Sequence, residues 1–377
     1  MSKLVWRTLA VAACAMLIAA SGSDKAAAQD AWKTEWDKTV AAAKKEGKIV
    51  LYMRRYDGVL KEFSKKYPEI TPVIVTGEGG VLGARILAER RADKYLVDIY
   101  VGGPYTAASM LIPGSVVDSI PDKLILPEVL DQSKWITGKH RYTDPERKYN
   151  FAFLATPGSR QLSYNSNLVD PKKITSYKDL IDPKWKGKIT SIEPNSTFIG
   201  AAAQFMYYNP HLGPDYFRAF FGGMDITFAR NNRQMTDWLA SGKYALCVGC
   251  LYVEKAHLQG LPVDVLDSSN FIEGASFQAA SGSISLINKA PHPNAAKVFL
   301  NWLLSREGQI VAQENTDNGI HFNSGRIDIP KDIVDADYRL TPGKEYFDQN
   351  SPDWADIDAV KKLADEVVAA NAKAKDK

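Results

Sequence analysis

The chain has 377 residues, 45% hydrophobic and 24% charged, with 26 Gly and 19 Pro. That is ordinary globular composition, which excludes collagen, a coiled coil and wholesale disorder. With 47 basic against 44 acidic residues the net charge is +3, too small a bias for a nucleic-acid binder. At roughly 100 to 200 residues per domain, the length suggests two domains.

Residues 1–28 read as an export signal. Lys3 and Arg7 precede an apolar run from Leu9 to Ala20, and the small residues Ser21-Gly22-Ser23 and Ala26-Ala27-Ala28 follow, the layout of a secretory leader. Cleavage is expected near Ala28. The run falls short of the roughly 20 residues a membrane-spanning helix needs. Val11-Ala12-Ala13 before Cys14 offers lipidation as an alternative, but the apolar run continues past Cys14. Without the leader the chain keeps 44 basic and 43 acidic side chains, a net of +1.

Beyond the leader, Trp36, Val40 and Ala43 recur at helical spacing, and Gly47 supplies a stop. Ile49 to Met53 is an apolar run of strand length. A helix with Val59, Leu60, Phe63 and Tyr67, a strand over Pro72 to Val75, a helix with Leu82, Ile86 and Leu87, and a strand from Tyr95 to Val101 follow. Such alternation implies parallel strands with helices on both faces. An irregular stretch, 113–147, rich in Pro, Asp and Lys, is where the first crossing to a second lobe is expected. A second α/β block follows: strands at Lys188–Ile192, Asp225–Ala229 and Tyr244–Val248, with helices at Phe198–Tyr208 and Gln234–Ala240. Ser283 to Ile287 and a helix through Ala296, Phe299 and Leu303 cannot form a domain alone, so this part is expected to return to the first lobe. The Ala/Lys/Asp end after Val368 reads as a helix tip. The resulting division is 29–150 and 278–330 for lobe one, 151–277 for lobe two, and 331–377 as a C-terminal extension.

Ligands of open α/β sheets bind beyond the carboxyl ends of the strands, so residues there are the site candidates. In lobe one they are Arg54, Arg55 and Tyr56, then Gly77-Glu78-Gly79-Gly80, then Gly102-Gly103-Pro104-Tyr105. In lobe two they are Asn195-Ser196-Thr197, Asn231, and Tyr252. Asn195 to Thr197 ahead of a helix suits an anion through free backbone N–H groups and hydroxyls, and suits plain capping equally. An Arg of the 54–55 pair offers a carboxylate or phosphate two parallel donors; at most one of the two faces the cleft. The glycine turn has G-x-G-x-x-x-G spacing and no acidic residue closing the next strand, so it lines a cleft without being a dinucleotide fingerprint.

H-E-x-x-H, G-x-S-x-G and G-x-x-x-x-G-K-[ST] are missing from the sequence. The five His, at 140, 211, 257, 292 and 321, lack zinc-ligand spacing. A binding protein without cofactor or metal is therefore favoured over an enzyme. Cys247 and Cys250 form the pair Cys-Val-Gly-Cys; in an oxidising compartment a structural disulfide is one reading, and two inert thiols, a redox dithiol or a metal site are the others.

The segments Trp36 to Tyr52, Leu87-Ala88-Glu89-Arg90-Arg91 with Asp98, Leu180 to Lys188, and Asn288 to Lys297 continuing through Trp302-Leu303-Leu304-Ser305 and Glu307-Gly308 carry a family resemblance over nearly the whole chain. The sequence resembles a periplasmic solute-binding protein of an ABC transporter, in the extracellular solute-binding branch that includes ferric-iron-binding proteins. The resemblance implies a two-lobed type II periplasmic-binding α/β fold with hinge strands, and one small solute held between the lobes. It also implies delivery to an inner-membrane ABC permease. A monomer is expected, with the C-terminal extension packed on lobe two. Ferric relatives use a Tyr pair from lobe two with a His and a carboxylate from lobe one. Only Tyr252 matches here; its neighbour is Val253, the His position falls on Tyr56 and the carboxylate position on Gly103. Hard cations want several anionic oxygens, so the expected solute is a small anionic organic molecule, a carboxylate or phosphorylated, with ferric iron or a ferric chelate as the alternative. Tyr56, Tyr105 and Tyr252 would then form aromatic walls.

Overall fold

The computed structural model describes residues 31–53, 56–158, 162–195, 200–229, 232–250, 252–314, 316–317 and 320–375. Residues 1–28, the expected leader with Cys14, lie outside them. Helix α1 (31–46) stops at Gly47, whose φ of +72° is one that glycine adopts without a Cβ penalty. The chain then turns at once into β1 (Lys48–Met53). β1 pairs in parallel with β2 (Thr71–Thr76) and β3 (Ile99–Gly102), with helices α2 (Asp57–Lys66) and α3 (Gly79–Arg91) as crossovers.

The returning strand β13 (Ser283–Ile287) inserts antiparallel between β3 and β4 (Val117–Asp118), giving the order β2-β1-β3-β13-β4, with β5 (Phe151–Ala152) also on β13. Two carboxylates, Asp98 buried and Glu46 half-buried, explain why the Asn288–Lys297 segment docks here. Asp98 accepts from the backbone N–H of Val50 and of His292 and from His292 Nδ1, at 2.7, 2.8 and 2.9 Å. Glu46 accepts from Asn294 N, Asn294 Nδ2 and Ala295 N, satisfying donors that the start of α10 (Pro293–Leu304) would otherwise leave free. Phe63 then packs against Phe299 and Trp302, with ring centroids 5.1 and 5.3 Å apart. Helix α11 (Arg306–Glu314) and a short hairpin, β14 (Thr316–Asp317) with β15 (Ile320–His321), follow.

The stretch 113–147 is not the crossing. It holds the one-turn helix α5 (Pro127–Leu130), and its Leu124, Val129 and Trp135 belong to the core of the first lobe. β5 also pairs within that lobe's sheet, so the boundary at residue 150/151 falls a few residues early. The crossing strands are β6 (Thr156–Pro157) and β12 (Ala275–Gln278), paired antiparallel. A third strand, β16 (Tyr346–Asp348), joins β12 in parallel. At Asp348 a guanidinium from the first lobe, Arg141, donates through both Nε and Nη2 at 2.8 Å.

The second sheet has the order β11-β7-β10-β8-β9: β8 (Ile189–Ile192) parallel to β10 (Leu246–Val248) and to β9 (Thr227–Ala229), with β7 (Leu162–Asn165) antiparallel to β10 and to β11 (Val263–Leu266). Its core gathers Phe205 and Met206 of α6 (Gly200–Tyr208), Phe217 of α7 (Gly213–Phe217), Met235 of α8 (Asn232–Ala240) and Val253 of α9 (Val253–Leu258). Val360, Leu363 and Val367 of the last helix, α12 (Ile357–Lys375), join the same cluster.

Candidate functional site

A cavity of about 350 Å³ opens where β3 ends and α3 begins. Gly79 and Gly80 line one side, Gly102 and Gly103 another, and Ala280, Ser281 and Phe322 a third. Glu78 precedes α3 in extended conformation and makes no side-chain cap. Gly103 likewise precedes α4 (Pro104–Thr106), which runs directly into a π-helical turn through Leu111, without a side-chain cap. The first N–H groups of a 13-residue helix therefore reach the cavity wall without a cap from the Glu78 side chain, the arrangement that favours an anion.

The glycines of this wall fall into two kinds. A Cβ on Gly79 would stand 2.6 Å from Thr106 Oγ1 and 2.8 Å from Tyr100 Oη, and one on Gly102 would collide with the Tyr100 phenol. A Cβ on Gly80 would meet nothing within 4 Å. Tyr100 is fully buried beneath this wall, its hydroxyl beside that of Thr106. Burial pushes the phenol's pKa up, so at neutral pH it stays protonated and a donor. Ala280 holds φ at +48°, a left-handed conformation that costs a non-glycine residue of order 1 kcal/mol. It stands between hinge strand β12 and β13, beside the cavity.

The residues that the sequence singled out divide accordingly. Gly79, Gly80 and Gly103 line the cavity. Tyr56 is not an aromatic wall: it is 5% exposed, packs edge-on against Phe153, and donates its hydroxyl to the Ser281 carbonyl at 3.3 Å. It backs a cavity residue instead of facing the solute. Tyr105 on α4 is 54% exposed. Across the hinge, Tyr252 is 64% exposed and caps α9 with a left-handed φ of +62°. Cys247 and Cys250 are joined as a disulfide, which ties β10 to the turn carrying Tyr252. Asn195 follows β8, and its Nδ2 donates to Asp365 of α12 at 2.7 Å. Arg54, Arg55, Ser196, Thr197 and Asn231 lie outside the described residues.

Among the described residues, no three His, Cys, Asp or Glu side chains stand together so as to hold a metal ion. No described helix is long and apolar enough to cross a membrane. Tyr100, Thr106, Ala280, Ser281 and Phe322 were not singled out from the sequence. A strand-end rule reaches Gly102 and Gly103, but nothing in the one-dimensional pattern shows that the phenol two residues earlier lies beneath the α3 terminus.

Residues 146–315 match the family model for bacterial extracellular solute-binding proteins. A Salmonella typhimurium protein provisionally described as 2-aminoethylphosphonate-binding and periplasmic is 23% identical over 295 residues, covering 76% of this chain and 79% of its own. Among solved structures, the Trichodesmium protein IdiA (FutA) with iron and citrate superposes with a TM-score of 0.62 at 20% identity, over 85% of this chain and 99% of that one. AfuA from Actinobacillus pleuropneumoniae with fructose-6-phosphate bound superposes with a TM-score of 0.54 at 19% identity, over 86% and 99%. At such identities the superpositions show a shared two-lobed periplasmic-binding fold.

Proposed function

We propose that this chain, a solute-binding protein carrying a bacterial extracellular solute-binding domain in the two-lobed periplasmic-binding fold, binds a small organic anion between its lobes and delivers it to an ABC importer. The observation that carries the reading is the cavity where the uncapped start of α3 stands over a buried phenol donor, Tyr100. Backbone N–H groups and a neutral hydroxyl stabilise an oxyanion without needing a counter-ion. Arg54 or Arg55, which follow β1 in sequence, would supply a cation. Tyr105 and Tyr252 offer apolar faces for the organic part, since solute pockets combine mostly apolar walls with a few orienting polar groups.

The test is thermal unfolding of ligand-stripped mature protein against phosphonates, sugar phosphates, carboxylates, ferric citrate and neutral sugars. A solute at 100 times its Kd adds about 2.7 kcal/mol, a shift of several degrees for lobes of this size. Shifts confined to organic anions support the reading. A shift with ferric citrate alone, accompanied by a visible tyrosinate charge-transfer band that Tyr252→Phe removes, would replace it with iron binding.

A further inference from the structure

We propose that Asp365 is a positioning residue that orients the Asn195 amide so that the second lobe presents a hydrogen-bond acceptor, and hence selects an organic anion carrying a hydroxyl or ammonium group. The inference rests on the anion reading above and names the other end of the same solute.

Asn195 stands three residues beyond β8, at the carboxyl end of a strand flanked in parallel by β10 and β9, where a solute approaches this sheet. Its Nδ2 lies 2.7 Å from Asp365 Oδ1. An ionised carboxylate has no proton to give, so only the NH2 end of the amide can face it. That choice turns the amide oxygen to the opposite side, away from α12. Among the described residues this oxygen has no hydrogen-bond partner, and Asn195 is half-buried. The Asn195 side chain is then an acceptor and not a donor to an anion. It pairs with a donor on the solute.

Asp365 is held firmly enough to impose this orientation. Either side of it along α12, Leu363 and Val367 are buried in the lobe-two core, and Asn371 Nδ2 donates to the Phe221 carbonyl at 2.6 Å. The approach to α12 is tied to α6, the helix that follows Asn195: Gln204 Nε2 donates to the Trp354 carbonyl at 2.5 Å and Tyr208 Oη to the Asp356 carbonyl at 2.8 Å. The exposed Asp365 carboxylate also disfavours a second anion on this side. The lobes therefore divide the solute chemically: lobe one offers donors to an oxyanion, and lobe two offers an acceptor to a hydroxyl or ammonium.

The experiment is calorimetric titration of the mature chain, as wild type, Asp365→Ala and Asp365→Asn, with ethylphosphonate, 2-hydroxyethylphosphonate and 2-aminoethylphosphonate. Wild type is expected to bind at least one donor-bearing compound about tenfold more tightly than ethylphosphonate, the order of one well-placed hydrogen bond. Asp365→Ala should collapse that ratio while leaving the unfolding midpoint unchanged. Asp365→Asn, which keeps an acceptor oxygen for Nδ2, should restore most of it. Which donor is preferred separates hydroxyl from ammonium. In the free protein, the Asn195 side-chain amide signals, identified by their loss in Asn195→Leu, should shift in Asp365→Ala and return in Asp365→Asn. Equal affinity of wild type for all three compounds, or a ratio untouched by Asp365→Ala, overturns this inference alone. Binding of none of the three, with another class of solute bound instead, overturns the anion reading and this inference together.

Discussion

Arg141 and Asp348 meet as a two-pronged ion pair beside the strands that join the lobes, with the Arg141 side chain 3% and the Asp348 side chain 20% exposed. Arg141 also donates Nη1 to the Leu154 carbonyl at 2.6 Å and lies over the Phe277 ring, 4.5 Å from its centroid. Asp348 ends β16, the third strand of the hinge sheet, and the chain continues from it into α12 on lobe two. The pair thus fastens the C-terminal segment to the lobe-one side of the hinge.

Removing one member of that pair should be costly because it strands the other charge in a dry environment. Asp348→Ala is expected to lose about 3 kcal/mol of unfolding free energy. The double variant Arg141→Met, Asp348→Leu should recover a large part of the loss, since an apolar pair needs no compensation. Denaturant unfolding of the two variants and wild type checks this; equal losses in both would show that packing, not charge, sets the cost.

The two kinds of cavity glycine make opposite predictions. Gly79→Ala drives a methyl into Thr106 and Tyr100 and should destabilise by about 1 to 3 kcal/mol, the range for overpacking. Gly80→Ala points its methyl into open space and should leave stability unchanged or slightly raised, as Ala suits a helix better than Gly. Solute affinity should nevertheless fall in Gly80→Ala, because the methyl occupies the cavity. Thermal melts with and without the bound solute separate the two effects.

The disulfide closes a very short loop, so its effect on the unfolded chain is small, about 2 kcal/mol in the chain-entropy description. Replacing Cys247 and Cys250 by Ser should cost no more than that. The larger effect is expected on solute binding, because the turn carrying Tyr252 in its left-handed conformation loses its tie to β10. A variant that binds solute as wild type does would show that Tyr252 is placed by α9 alone.

Lys331 predicts a pH dependence. Burial depresses its pKa from the ordinary lysine range to about 7, while its ammonium donates to Gln313 Oε1 and to the Ser324 carbonyl. The unfolded chain holds this proton up to the ordinary lysine pKa, so between pH 7 and about 10 the unfolded state binds more protons than the folded one. Stability therefore gains a contribution as pH rises through that window, and the penalty for charging the buried amine is fully present below it. Lys331→Met should remove this rise and be relatively most stabilising near pH 6, measured by denaturant unfolding at pH 6, 7.5 and 9. Parallel pH profiles for the two proteins would sink the assignment.

Much of the first lobe was legible in order. The Ile49 to Met53 run, Gly47 as a stop, and Leu82 and Ile86 on one helix face are local patterns whose burial and dihedral demands are met within a few residues. The strand from Tyr95 shrank to Ile99–Gly102. The crossing was misplaced for a related reason: Trp135 and Val129 lie in a Pro- and Asp-rich stretch that looks like a linker, yet they fill the lobe-one core. Irregular backbone carries no period, so nothing local distinguishes a packed loop from a connecting one.

For the site, residue type and strand-end position sufficed to find Gly79, Gly80 and Gly103, because close backbone approach to a cavity demands glycine. They did not suffice for Tyr56, whose aromatic ring reads the same whether it walls a cleft or, as here, fills a core. Alternation, spacing and composition are properties of neighbours along the chain, and by themselves they determined two α/β lobes, their order and the absence of an enzyme signature. Only the tertiary structure placed the Tyr100 phenol under the start of α3, Asp348 against Arg141, and Asp365 against Asn195. Those last two pairs lie 207 and 170 residues apart in sequence. Their contacts depend on where a C-terminal helix with an apolar stripe finds its complementary groove, a choice made by packing at long range that no short window of sequence contains.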